Sequence, residues 1–155
     1  MKLVQVVLFA VATLLALPAA AQTASDMQIL AEKIKADKKV VVAANMQLTE
    51  AEAKAFWPVY EAYQKELAGI NKRLLGTIKN YADAYNKGPV SDETAKKLIN
   101  AAIAVEEAEV KLKRSYVPKL EKVIPSMKVA RYIQIENKIR AIGKYELAAQ
   151  IPLVQ

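Results

Sequence analysis

Between Ala53 and Tyr85, apolar and aromatic side chains recur at alternating steps of three and four residues. The series is Ala53, Phe56, Tyr60, Tyr63, Leu67, Ile70, Leu74, Thr77, Tyr81 and Ala84, and only Thr77 departs from apolar or aromatic character. Such spacing follows one face of an α-helix and marks a seam that needs a partner helix. At about 1.5 Å per residue the helix is roughly 50 Å long. A single span of that length does not fit inside a compact globule of a 155-residue chain, so the seam predicts an elongated, all-α arrangement.

The flanking segments supply the partners. Helices are predicted over about 25–44, 49–86, 91–117 and 125–147, four in all, built on a long antiparallel hairpin within one domain, residues 22–155. The second begins at Leu48-Thr49-Glu50-Ala51-Glu52. There Thr49 as N-cap and Glu52 three residues later form a capping box, with two carboxylates at the positive end of the helix dipole. Asn86-Lys87-Gly88-Pro89 stops that helix, and Ser91 caps the next. Pro58 is expected to bend the second helix, Pro118 to kink or end the third, and Pro125 to sit in the first turn of the fourth. In the first helix the triplet Val40-Val41-Val42 contributes an apolar side despite poor intrinsic helix propensity. In the third, Leu98, Ala102, Val105, Leu112 and Tyr116 form an inward stripe interrupted by Glu109. A second stripe, Ile99, Ile103, Val110 and Val117, suggests contact with two neighbours. The last helix carries Val129, Tyr132, Ile135, Ile139 and Ile142. The apolar tail, 148–155, is expected to dock on the bundle or on a partner chain.

The first 21 residues read differently. Lys2 precedes an apolar run from Leu3 to Leu17, and Pro18-Ala19-Ala20-Ala21 offers a cleavage site before Gln22. That is the pattern of a secretory leader, and it predicts export. Without it the chain has 22 basic and 16 acidic side chains, net +6. There is no histidine and no cysteine. This removes Ser–His–Asp and Cys–His catalysis and thiolate or imidazole metal sites, and no disulfide holds the fold. Four glycines leave no phosphate-cradling loop. No cofactor is expected. The one carboxylate close to an apolar stripe, Glu136, reads as partly buried and paired with Arg131 or Arg140 rather than as a general acid, so no enzymatic activity is expected.

Charge is uneven along the chain. Lys111, Lys113, Arg114, Lys119, Lys122, Lys128 and Arg131 lie between residues 111 and 131 with one acid, Glu121, and carry the whole net charge. This basic elbow is a candidate docking surface for an anionic segment of an unfolded chain, a sensor domain or lipid headgroups. The alternative is a solvated face with pairs such as Glu107–Lys111 and Glu109–Lys113. Nucleic acid is not expected for an exported chain without a recognisable binding module. Phe56, Tyr60 and Tyr63 read as core, and Trp57 either packs on the first helix or is exposed.

The leader, the all-helical pattern, the basic balance and the Leu-Thr-x-x-acid helix start resemble the Spy/CpxP family of small periplasmic proteins, marked by an LTxxQ motif that often occurs twice. Here the first copy is Leu48-Thr49-Glu50-Ala51-Glu52, with Glu in place of Gln. The second is Val90-Ser91-Asp92-Glu93-Thr94, similar in character. The resemblance implies a periplasmic protein with a bent helical hairpin that pairs with a second copy in a thin, curved dimer. It implies a concave, basic and apolar surface that holds unfolded clients without ATP, or an envelope-stress accessory role. Some relatives bind zinc, which a chain without His or Cys does not match. The alternative to a chaperone is a structural or adaptor protein with one dedicated folded partner.

Overall fold

The structure, a computed structural model, describes residues 37–154. Among these the fold is all-α, with four helices and no strand. Helix α1 is described over 37–46, α2 spans Glu50–Tyr85, α3 spans Asp92–Glu121 and α4 spans Ser126–Gln150. The expected leader and the start of the first helix lie outside the described residues. Among the described residues no helix is long and apolar enough to cross a membrane. The chain divides into two compact units, Met1–Val41 and Val42–Gln155. Of the first, residues 37–41 are described and helical; the second carries everything below.

Helix α2 begins as its sequence dictates. Thr49 Oγ1 accepts from the Glu52 backbone N–H at 3.3 Å, and Glu52 Oε2 accepts from the Thr49 N–H at 2.7 Å. Two orphan donors at the helix end are thereby satisfied together. The helix then runs 36 residues, through Pro58. At its end the Asn86 N–H bonds back to Ala82 O at 3.0 Å. Gly88 takes φ +127°, where an L side chain is strained, and the chain turns toward Ser91. Ser91 Oγ caps α3 by accepting from the Thr94 N–H at 3.3 Å.

Four boundaries differ from expectation. Pro118 does not end α3, which continues to Glu121. Pro118 removes only the bond to the Arg114 carbonyl, both residues are exposed, and Leu120, fully buried, draws the next turn into the core. The turn forms after Leu120, whose carbonyl accepts from Val123 and Ile124. Pro125 stands just before α4 as its N-cap, not in its first turn, and its carbonyl accepts from Lys128 at 2.8 Å and Val129 at 3.0 Å. Helix α4 continues three residues past 147, to Gln150. The end of α1 also shifts: Met46, expected in a connector, closes the helix as a fully buried side chain. Of the valine triplet only Val42 is buried; Val40 and Val41 are exposed.

The core is built from Val42 and Met46 of α1, Phe56, Tyr60, Tyr63, Leu67 and Ile70 of α2, Val105, Leu112, Tyr116 and Leu120 of α3, Ile124 after it, and Val129 and Tyr132 of α4. Tyr132 is its hub. Its ring meets Phe56 at 5.2 Å, Tyr60 at 6.0 Å and Tyr63 at 6.0 Å, all edge to face. Tyr63 in turn meets Tyr116 at 5.3 Å. Such pairs contribute about 0.5–1.5 kcal/mol each beyond the area they bury. Trp57 is half-buried and stacks edge-on against Phe56 and Tyr60. Tyr63 of α2 therefore lies beside Tyr116 near the end of α3, and Leu74 faces the same groove as Val105, so the two helices run in opposite directions. The core occupies only part of them. It stops at Ile70 on α2, begins at Val105 on α3 and stops at Glu136 on α4.

Candidate functional site

Beyond Ile70 the apolar seam of α2 continues, but among the described residues no helix closes over it. Leu74, Ile78 and Tyr81 face Leu98, Ala102 and Val105 of α3 across an open groove of about 540 Å³. Leu147 and Ala148 of α4 and the following segment, Ile151 to Val154, form the third wall. The lining is almost wholly apolar, and charge is confined to Glu106, Glu109 and Lys144. A concave apolar surface with a few convergent polar groups is the usual form of a binding site.

Glu109 explains the charged end. It is buried, and the Arg140 guanidinium forks onto its carboxylate, Nε donating to Oε2 at 2.6 Å and NH2 to Oε1. Arg140 NH1 reaches Asn71 Oδ1 at 3.1 Å, joining the third helix to the second through a residue of the fourth. Lys144 lies 3.5 Å from Glu109 and 3.6 Å from Glu106. Burial pulls the Arg140 pKa below the usual guanidinium value, with the Tyr63 hydroxyl acting in the opposite direction. The expected Glu109–Lys113 pair is thus replaced: Lys113 Nζ donates to Asn137 Oδ1 at 3.1 Å instead. The interruption of the α3 stripe by Glu109 is the anchor point for α4.

The segment after α4 crosses the groove as a strap. Ile151 is extended, and Pro152 prevents the helix from continuing. The Tyr81 hydroxyl donates to Pro152 O at 2.8 Å. A smaller hollow of about 300 Å³ lies on the other side of the strap, and Tyr81, Leu147, Ile151 and Pro152 line both. The apolar tail therefore docks on the hairpin of its own chain.

The basic elbow is not a single surface. Lys128 Nζ donates to Glu52 Oε2 at 2.5 Å and to Gln47 O at 2.9 Å, and Arg131 NH1 donates to Gln47 Oε1 at 2.7 Å. These two cations clamp α4 to the α1–α2 connector. Gln47 needs the clamp, because its φ of +50° is a left-handed conformation uncommon outside glycine. The Lys128 ammonium, with the Thr49 N–H, holds the Glu52 carboxyl below its ordinary range. Lys119 lies over the Tyr116 ring, 3.9 Å from its centroid. Lys111, Arg114 and Lys122 point from exposed positions on or just after α3. Of the seven candidate partner-binding residues, Lys113, Lys119, Lys128 and Arg131 have intramolecular roles, and Lys128 and Arg131 are half-buried in theirs. Thr49, Glu52 and Ser91 act as caps, and Leu48 packs half-buried against the core.

Two further expectations meet the structure here. Glu136 is buried and accepts from Gln64 Nε2 at 2.8 Å, and the same amide donates to the Tyr132 hydroxyl at 3.2 Å. Of the arginines foreseen as its partners, Arg131 donates to Gln47 and Arg140 forks onto Glu109. The second stripe of α3 divides: Val117 packs on the core, while Ile99, Ile103 and Val110 are exposed, flanked by Glu106, Glu107, Lys111 and Arg114.

No family model, curated protein or solved structure matches the chain. The groove itself was not foreseen. Its signal lay in the seam outlasting the apolar face of α4, where Ile142 and Tyr145 are exposed and Leu147 and Ala148 turn back to the groove.

Proposed function

We propose that the chain is a non-enzymatic, ATP-independent binding protein of the cell envelope, a chaperone or stress accessory of the Spy/CpxP kind, that holds apolar segments of unfolded polypeptides. The observation that carries this reading is the open groove between α2, α3 and the strap. Its apolar walls suit hydrophobic side chains, which bind there by leaving water. Lys111, Arg114 and Lys122, exposed on or just after α3, favour clients with acidic flanks and a salt-dependent approach. Export to the periplasm accords with the leader-like 21 residues. The test is suppression of aggregation of a reduced, unfolding client. The wild-type chain suppresses it at a few-fold molar excess, Ile78→Asp in the groove wall abolishes suppression, and Leu75→Asp, exposed and outside the lining, leaves it unchanged. No suppression by the wild-type chain at low salt ends the chaperone reading.

A second reading rests on the exposed Ile99, Ile103 and Val110 of α3. One helix turn separates Ile99 from Ile103, and two separate Ile103 from Val110, so the three suit a helix of a dedicated partner or of a second copy. An adaptor would capture one stoichiometric protein from a periplasmic extract, and a chaperone many unfolded ones. Light scattering of the wild-type chain and of Ile103→Asp reads the homodimer directly.

A further inference from the structure

Among the described residues, the strap is the one extended segment laid along the α2 and α3 faces of the groove, where it forms a wall, so its chemistry describes what those faces accept. An extended segment laid on an apolar surface brings one N–H and one C=O per residue, and each is costly to bury unpaired. At Ile151 and Pro152 the strap limits this cost. The Ile151 N–H bonds to Leu147 O at 3.2 Å, Pro152 has no N–H, and Pro152 O takes the Tyr81 hydroxyl. Ile151, at φ −91° and ψ 114°, has the extended backbone that a following proline imposes. The strap is also thinly seated. Leu153 is 87% exposed and Val154 56%, although both border the groove. The side-chain hydrogen bond from Tyr81 ties it to α2, and such a bond contributes only about 1 kcal/mol net.

We infer that the groove's clients are short, extended apolar segments containing a proline, and that the strap is a built-in competitor which they displace. The client then places a backbone carbonyl on the Tyr81 hydroxyl in place of Pro152 O. This rests on the binding reading above and narrows it to a class of segment and a regulation. A competitor on the same chain acts at an effective concentration in the millimolar range. It lowers apparent client affinity by the fraction of molecules whose groove is covered. Weak segments are thereby refused, and only clients that offer more apolar contact than the strap are held.

The probe is a fluorescein-labelled peptide with the sequence of residues 148–155, followed by anisotropy. The full chain is compared with Ile151→Asp, which detaches the strap, and with a chain ending at Gln150. Both variants bind the peptide at least about fivefold tighter than wild type. Adding Tyr81→Phe to either weakens binding roughly fivefold, the equivalent of one hydrogen bond. A peptide with alanine in place of its proline binds more weakly to all. Equal or weaker binding by the strap-released chains overturns the inference, and so does loss of helicity in both, which would make the strap an integral part of the fold. The aggregation assay separates the two levels. Strap-dependent peptide binding without suppression removes the chaperone reading alone. Suppression that is indifferent to the strap removes the inference alone.

Discussion

Glu109 and Arg140 show how one ion pair fixes where the helices meet. Both are largely withdrawn from water, so the pair is held by geometry and mutual neutralisation rather than by surplus Coulomb attraction. Arg140→Met leaves the Glu109 carboxylate buried with only Lys144 near it, at 3.5 Å. The expected loss is about 3 kcal/mol in urea unfolding, and Glu109→Leu combined with Arg140→Met recovers most of it. Glu52 makes a different statement, about pH. Its folded pKa lies below the ordinary value of 4.5, chiefly through the hydrogen bond from Lys128, and Asp83 is lowered in the same way by Lys79. A carboxyl depressed on folding contributes stability that is fully present above its unfolded pKa and is lost as pH falls through the folded one. Thermal melts between about pH 3 and 7 should therefore show a falling acid limb. Glu52→Gln, which keeps the capping geometry, should flatten that limb while lowering stability at neutral pH. On the alkaline side burial and the Glu66 hydrogen bond push the Tyr116 hydroxyl up to about 12. A raised folded pKa acts with the opposite sign: its contribution is fully present below the unfolded value of 10.0 and is lost as pH rises through the folded value of about 12. The clamp was illegible in the sequence because its partners are distant: Lys128 meets Glu52 across 76 positions, and Arg131 meets Gln47 across 84. A run of cations tells how much charge is present, and only the fold tells what it faces.

At the scale of elements, the capped starts of α2 and α3 were legible and the end of α3 was not. Thr49 and Ser91 act on backbone groups three residues away, so the sequence contains the whole interaction. The end of α3 depends on Leu120 finding a core made by other helices, and that outweighs the local message of Pro118. The long seam of α2 was read correctly as one continuous helix, but its weak points are also local. Gly76 lies inside α2, and a Cβ added there meets nothing within 4 Å. Gly76→Ala should stabilise the chain by about 0.5–1 kcal/mol, measured by denaturant midpoint, because it reduces the freedom of the unfolded backbone without steric penalty. The same holds for Gly143 of α4, whose added Cβ also meets nothing.

On the scale of the whole Val42–Gln155 unit, the hairpin has a closed half and an open half. Around Phe56, Tyr116, Leu120 and Tyr132 three helices and the end of α1 share one core; around Leu74, Tyr81 and Leu98 two helix faces and a strap leave a groove. The all-α class followed from periodicity. The division did not, since the seam of α2 runs through both halves with only Thr77 polar and the difference lies in where α4 stops burying side chains. Hydrogen exchange should map it: amides from Phe56 to Ile70 and from Val105 to Leu120 exchange only on global unfolding, and those from Leu74 to Tyr85 and from Asp92 to Ala102 exchange sooner by local opening. The position of Trp57 has a spectroscopic consequence. It is the chain's single tryptophan, and it stacks on the aromatic cluster of the closed half, about 36 Å along α2 from Tyr81. Its emission, fed by the neighbouring tyrosines, reports the melting of the core. It stays silent while the groove fills and empties, so a titration excited selectively at the tryptophan would register no binding event even at saturation.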